Sequence, residues 1–225
     1  MIDSLFDMKT FLHVSCGPKR KERTTKALSS WNELCFDIDE SVKPDLVGTM
    51  IDMSSVSSAS VNAVFSSHNI EHLYPHEVSL AFAEFLRVLS NDGFAVITCA
   101  DLQSVCTLNA DDKLTEPAYT SPVGPIAPLD ILYGLRPSMT KGNLYVTHRC
   151  GFTKRVLSGT LQAAGFASLA SMSRKAPNFD LWALASKNAR SEAEMKQFAQ
   201  TYFTPLRAAL ASKSRPSCSV SSSAI

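Results

Sequence analysis

The sequence predicts an α/β domain: a parallel sheet covered by helices and closed by an antiparallel hairpin. Three observations carry this. Short apolar runs alternate with polar or amphipathic stretches through the first hundred residues. Polar residues collect after successive runs, as Ser15-Cys16-Gly17-Pro18, Asp37-Ile38-Asp39 and Ser67-His68-Asn69-Ile70-Glu71-His72. Two further apolar runs flank a polar turn at Pro177-Asn178.

Taken in order, the apolar run 11–14 stops at Gly17-Pro18, which forces a turn and places a strand at 10–15. Residues 34–39 begin apolar and end acidic, as a buried strand does when its carboxyl end reaches solvent. The polar, basic stretch 19–31 between them reads as an irregular helix of about three turns. A Ser-rich turn at 54–60 precedes a buried strand at 61–65. Over 75–89, Val78, Phe82, Phe85, Leu86 and Leu89 recur every three or four residues, Pro75 suits a helix start, and Asn91-Asp92-Gly93 closes the segment. Residues 94–99 form the next strand. The stretch 101–137 is interrupted by Pro117, Pro122, Pro125 and Pro128 and reads as broken helix and loop. Thr153 is placed to cap a helix with Val156, Leu157, Leu161 and Ala164 on one face and Gly165 as a left-handed terminator. Runs 166–172 and 180–185 form the hairpin. Over 191–210 a last helix carries Met195, Phe198, Ala199 and Tyr202 on one side and a Glu192/Lys196 pair on the other. From 212 to 225 the chain is mostly Ser, and a disordered tail is expected after a single domain at 1–211.

The 225 residues include 22 Lys+Arg against 21 Asp+Glu, and a net charge of +1 gives no global attraction to phosphate backbones or anionic membranes. A nucleic-acid partner is disfavoured on this ground. With 45% hydrophobic residues, the chain can build a sizeable core. Six cysteines show neither C-x-x-C spacing nor a Cys/His ladder, so neither a disulfide scaffold nor a metal site is expected. There is no apolar leader at the start and no apolar run near the roughly 18 residues of a membrane span, and a cytoplasmic protein is expected.

In parallel sheets ligands bind beyond the carboxyl ends of the strands. Asp37, twenty residues past Gly17, is placed to accept both hydroxyl protons of a ribose; the alternative is that Asp37 and Asp39 cap a turn. The first loop lacks both G-x-x-x-x-G-K-[ST] and a full G-x-G-x-x-G, so ATP and dinucleotides are disfavoured.

The order of these pieces resembles the class I S-adenosylmethionine-dependent methyltransferases, in their small-molecule (type 11-like) branch. LHVSCGP is similar to the family's glycine loop, FDID to its acidic second strand, IDM to its adenine-side loop, VNAVFSSHNIEHL to its fourth strand and EFLRVLSNDGFAVI to the helix, turn and fifth strand. HRCGFTKRVLSGTLQAAGF and FDLWALASK extend the likeness to about residue 187. The resemblance implies a Rossmann-like, doubly wound, seven-stranded and mostly parallel sheet, S-adenosylmethionine as cofactor, and a small molecule or glycan precursor as acceptor. It implies that His13, Ser15 and Gly17 form the cofactor loop, that Asp37 binds the ribose, that Asp52 and Met53 face the adenine, and that Ser67 and His68 line the methyl-transfer end. The family carries two or three glycines in the first loop, whereas here Gly17 stands alone before Pro18-Lys19-Arg20-Lys21. That departure motivates a rival reading, a binding or regulatory protein that keeps the fold without turnover.

Displacement at a sulfonium methyl asks mainly for alignment, with a base where the nucleophile must lose a proton. His68, His72 and His148 are candidate bases, and Asp101 is a candidate for orienting the acceptor. Each has a bland counterpart: His72 fixing its loop, Asp101 capping a turn, His148 lying on the surface. The cluster Lys19, Arg20, Lys21 and Arg23 reads as a solvated face, or as a contact for an anionic acceptor or RNA. Cys16 lies in the cofactor loop. The Pro-rich stretch 117–137, with Tyr119, Tyr133 and Arg136, is expected to cover the acceptor site.

Overall fold

The computed structural model describes residues 8–18 and 20–205, without the side chains of Arg20 and Arg23. The expected Ser-rich tail and the Lys19, Arg20 and Arg23 side chains of the basic cluster fall outside what is described. Seven strands form one sheet: β1 (Thr10–Val14), β2 (Asn32–Asp37), β3 (Leu46–Val47), β4 (Val61–Ser67), β5 (Leu89–Ala100), β8 (Ser168–Arg174) and β9 (Asp180–Ser186). Their spatial order is β3-β2-β1-β4-β5-β9-β8. The first five are parallel, and β9 runs antiparallel to both β5 and β8. This is the Rossmann-like arrangement with the closing hairpin that the sequence implied.

Alternation along the strands sorts side chains to two faces. Leu12 and Val14 of β1, Val64 of β4 and Ile97 of β5 meet Phe82 and Phe85 of α1 (Val78–Val88) and Leu157 and Leu161 of α5 (Lys154–Ala163). Phe11, Phe65, Val96 and Trp182 point to the other face, where α6 (Glu192–Tyr202) lays Met195, Phe198 and Tyr202. At about 1.5–3 kcal/mol for each buried large apolar side chain, these two layers are the main source of stability.

Several boundaries differ from expectation for local reasons. Among the described residues of this stretch, 20–31, the chain forms two short 3-10 turns, Arg20–Arg23 and Lys26–Leu28. Thr25 forms a bridge to Pro205, and Lys26 N–H donates to the Thr204 carbonyl, pairing that excludes a continuous helix. α6 stops at Tyr202, short of 210, because Pro205 bars helical geometry at Thr204. Its start is firmer: Ser191 and Glu194 form a reciprocal capping box. Asn91-Asp92-Gly93 lies within β5, which runs from Leu89 with a register shift against β4. In α5, Thr153 caps as expected, but Val156 is 47% exposed and the buried seam is Leu157 and Leu161. Gly165 has a φ of +107°, in keeping with its terminating role.

Residues 101–148 carry more structure than the prolines suggested. α2 (Leu102–Ala110) buries only Val105, so it leaves little periodic signal. A hairpin of β6 (Tyr119–Ser121) and β7 (Gly124–Ile126) follows, then α3 (Pro128–Tyr133) and α4 (Arg136–Met139). Pro128 and Pro137 occupy first-turn positions, where a missing N–H costs nothing. Val105, Ile126, Ile131 and Phe179 form a small core that fixes this cap to the sheet.

Gly134, between α3 and α4, has a φ of +102°, and a Cβ there would lie 2.2 Å from the Val146 carbonyl oxygen. Gly134→Ala should therefore cost at least about 1–3 kcal/mol in urea unfolding. It should also displace the adjoining 147–148 segment, which a change in the His148 NMR resonances would report.

Candidate functional site

The strand order reverses between β1 and β4, which opens a crevice at their carboxyl ends. Asn69, 2% exposed, spans this crevice: its Nδ2 donates to the Val14 carbonyl at 2.9 Å and its Oδ1 accepts from Ser66 Oγ. A cavity of about 570 Å³ lies above. His13, Ser15 and Cys16 of the first loop, Ser67 and His68 after β4, and Tyr119, Ile126, Asp130, Ile131 and His148 of the cap line it.

The first loop turns through two left-handed residues, Ser15 at φ +51° and Gly17 at φ +59°. Ser15 thus takes a conformation glycine adopts without strain, and it is held by its N–H to the Phe36 carbonyl at 2.7 Å. A Cβ on Gly17 would meet nothing within 4 Å, so the loop leaves open space there. Asp37 accepts Gly17 N–H on Oδ2 and Asp39 N–H on Oδ1, each at 3.0 Å. It therefore does cap backbone, yet each oxygen keeps a lone pair, and ribose binding and capping are compatible. His13 is buried, with Nδ1 2.7 Å from Glu33 Oε1.

The adenine-side loop is held differently from expectation. Asp52 is exposed and its carboxylate accepts Ser54 N–H, which lowers its pKa. The Met53 side chain is wholly buried in the core beneath, and its N–H donates to Glu84 Oε2 at 2.7 Å. Arg87 completes the clamp, donating to Glu84 and to the carbonyls of Met53 and Val56. Neither Asp52 nor Met53 lines the cavity.

Of the candidate bases, His68 and His148 line the cavity and His72 does not. The His72 ring nitrogens face the carbonyls of Thr147 and His68, each at 3.1 Å, which ties its loop to the cap. Asp101 is likewise elsewhere: it caps α2 through Gln103 N–H, accepts from Ser104 and Ser173, and faces a second cleft. His68 has a φ of +52° and an N–H bonded to the Thr98 carbonyl at 2.8 Å, which turns its half-exposed ring into the cavity. Its Nδ1 lies 3.3 Å from Glu71 Oε1. Burial disfavours the imidazolium, but the Glu71 carboxylate outweighs it and raises the His68 pKa above the ordinary value. His148 goes the other way, lowered chiefly by burial.

Sequence reasoning passed over Glu33, Glu71 and the left-handed Ser15. Glu71 had a signal, since it stands three residues from His68 in the quoted motif. Glu33 had none, because its pairing with His13 depends on strand register. The cap does cover the cavity, with Tyr119 on its wall; Tyr133 is exposed, and Arg136 is bonded to Asp130. None of the five described cysteines is in a disulfide.

Strand order, crevice and loops define a class I methyltransferase fold. Residues 12–97 match the family model described as a methyltransferase domain, and this match, together with the fold, supports S-adenosylmethionine as the cofactor. Solved structures bear out the fold. A methyltransferase from Archaeoglobus fulgidus superposes with a TM-score of 0.51 at 13% identity, covering 80% of this chain and 86% of that one. One from Methanosarcina mazei gives 0.53 at 12% identity, covering 82% and 95%. The 1,6-didemethyltoxoflavin N1-methyltransferase of Burkholderia thailandensis, solved with its namesake compound and S-adenosylhomocysteine, gives 0.50 at 14% identity, covering 80% and 71%. No curated protein matches the chain in sequence. Among the described residues no helix is long and apolar enough to cross a membrane.

Gly17 and Asp37 do not line the cavity; they lie in and behind the loop whose Ser15 and Cys16 do, with open space at Gly17. Asp37→Ala should lower stability by on the order of 3 kcal/mol without any ligand, since two N–H groups lose a charged acceptor. The informative quantity is therefore the ligand-induced rise in melting temperature. Wild type at about a hundred times Kd of S-adenosylhomocysteine should gain roughly 2.7 kcal/mol, or about 5–10 °C at this size. The variant should gain little.

Proposed function

We propose that the protein methylates a hydroxyl or amine of a small polar molecule, such as a glycan precursor, with His68 as the general base. The observation that carries this reading is the His68 ring at the cavity wall, its Nδ1 toward Glu71 and its other nitrogen left for the cavity. S-adenosylmethionine, when bound, supplies an electrophilic sulfonium methyl. The chain's own residues then have two tasks, to align the acceptor and to take its proton.

His13, Ser15 and Gly17 support the cofactor side, and Asp37 holds the loop that carries them. On the acceptor side the cap supplies apolar Ile126 and Ile131 with the Tyr119 ring. Tyr119 lies near-parallel to Phe179 at 6.4 Å between centroids, a flat wall suited to a ring-shaped acceptor. Ser67 Oγ, 2.8 Å from Thr98 Oγ1, offers a hydroxyl beside His68. Deprotonation of the acceptor leaves the proton on His68 Nε2, where the Glu71 carboxylate stabilises the resulting imidazolium.

A panel of hydroxyl and amine acceptors should release S-adenosylhomocysteine in the presence of the enzyme. Because the base must be neutral, turnover should rise with pH through an apparent pKa above the unperturbed value of about 6.5, and the Glu71 partnership sets that sign. His68→Gln should lower kcat by about 10²–10⁴-fold while cofactor binding persists. Full turnover in His68→Gln would remove His68 from the chemistry.

A further inference from the structure

Glu71 is 1% exposed, and neither carboxylate oxygen has a hydrogen-bond partner among the described residues. His68 Nδ1 is near at 3.3 Å without hydrogen-bond alignment, and both His72 ring nitrogens are committed to carbonyls. Buried carboxylates are seldom left in this condition, because desolvation without compensation is costly. Beside Glu71 lies a small cavity of about 20 Å³, lined also by His148, Cys150 and Ala100. A single water needs about 10–15 Å³ and two to four polar partners.

The donor and acceptor inventory fits one water there. His148 Nδ1 lies 2.8 Å from the Ile131 carbonyl, so that nitrogen carries the proton and donates. In the neutral ring the other nitrogen is then an acceptor. Burial keeps His148 neutral, and Glu71 is held ionised: burial opposes its charge, but His68 and then His148 and His72 outweigh that. Glu71 and His148 both line the cavity and each carries an acceptor, a carboxylate oxygen and an imidazole nitrogen, while a water has two O–H groups to donate. Cys150, its thiol pushed up to about 11 by burial, stays protonated.

We propose that an internal water occupies this cavity, donating to Glu71 and His148, and that Glu71 is thereby fixed as the positioning residue that holds His68 Nδ1–H and aims Nε2 at the acceptor. The assignment rests on the general-base reading of His68, but its test does not. Other charged or titratable groups around the pair are accounted for. Arg149 donates to the His72 carbonyl and lies over Tyr74, Arg174 is bonded to Asp180 beyond His68, and the Cys99 thiol is held protonated by its burial.

The test is a histidine-selective ¹⁵N NMR titration, with S-adenosylhomocysteine bound, of wild type, Glu71→Gln, Glu71→Asp and His148→Leu, each checked for fold by circular dichroism. Wild type should show His68 as the imidazolium below its midpoint and as the neutral Nδ1–H tautomer above it. Its midpoint should fall by at least about one unit in Glu71→Gln and be largely kept in Glu71→Asp, which retains the charge. His148→Leu removes the water's second acceptor and should broaden the His68 tautomer signal without abolishing the high midpoint. A crystal structure of wild type should show density for one water between Glu71 and His148. An unchanged His68 midpoint in folded Glu71→Gln, or in His148→Leu an unchanged tautomer signal together with an empty cavity in wild type, would overturn the proposal. Should Glu71→Gln fail to fold, the wild-type tautomer and density decide alone. Because the titration reads protonation and not methyl transfer, a positive result with an active His68→Gln would sink the general-base reading and leave the pairing intact.

Discussion

The amide of Asn69 bridges the two strands whose divergence creates the site, and much else depends on it. A crevice between parallel strands leaves backbone carbonyls with no ladder partner, and a buried carbonyl left so costs about 1–3 kcal/mol. Asn69 satisfies the Val14 carbonyl and takes the Ser66 hydroxyl in return. This fixes the ends of β1 and β4 at the same height, so the glycine loop and the 67–72 loop face one another across a defined gap. His68 follows directly in the chain, and its left-handed backbone is tolerable because neighbours on both sides are pinned.

From that bridge the site divides into two halves of different construction. One half is built from loops that belong to the sheet itself, tied by carboxylates to backbone N–H groups: Asp37 to Gly17 in the first loop, Glu84 to Met53 in the loop before β4. Such ties reach across 20 to 31 residues of sequence. The other half, the cap, comes from a contiguous segment after β5, held by a small core of its own and by the Asp130–Arg136 pair. Rigid backing on one side and a separately anchored cap on the other suit an enzyme that keeps one cofactor and fits a particular acceptor.

How much of this the sequence discloses follows from the range of the forces involved. Strand alternation, the α1 seam, the Thr153 cap and the closing hairpin are local patterns, and each is legible. The segment 19–31 was misjudged because its conformation is decided by Thr204 and Pro205, far along the chain. α2 was missed because one buried residue gives no period. In the candidate site, Asp37 and His68 are legible in the sequence because both stand at strand ends. Met53 illustrates the limit: its place after an acidic residue suggests a ligand contact, whereas its side chain fills the core and its N–H is taken by Glu84. The direction of a side chain at a loop depends on backbone torsions that no spacing rule encodes.

The cap has a topological property with evolutionary reach. Residues 102–151 leave the sheet after β5 and return before α5, and their two ends are paired, Asp101 bridging Phe152 and Leu102 N–H donating to the Phe152 carbonyl at 2.9 Å. A segment with its two ends close together can be exchanged, lengthened or recombined without disturbing strand register. Divergence within such a lineage can therefore proceed as replacement of a single exon-sized cassette over an inherited donor scaffold, so that closely similar sheets serve unrelated acceptors. Chimeras cut at Asp101 and Phe152 are the natural units for redirecting the enzyme.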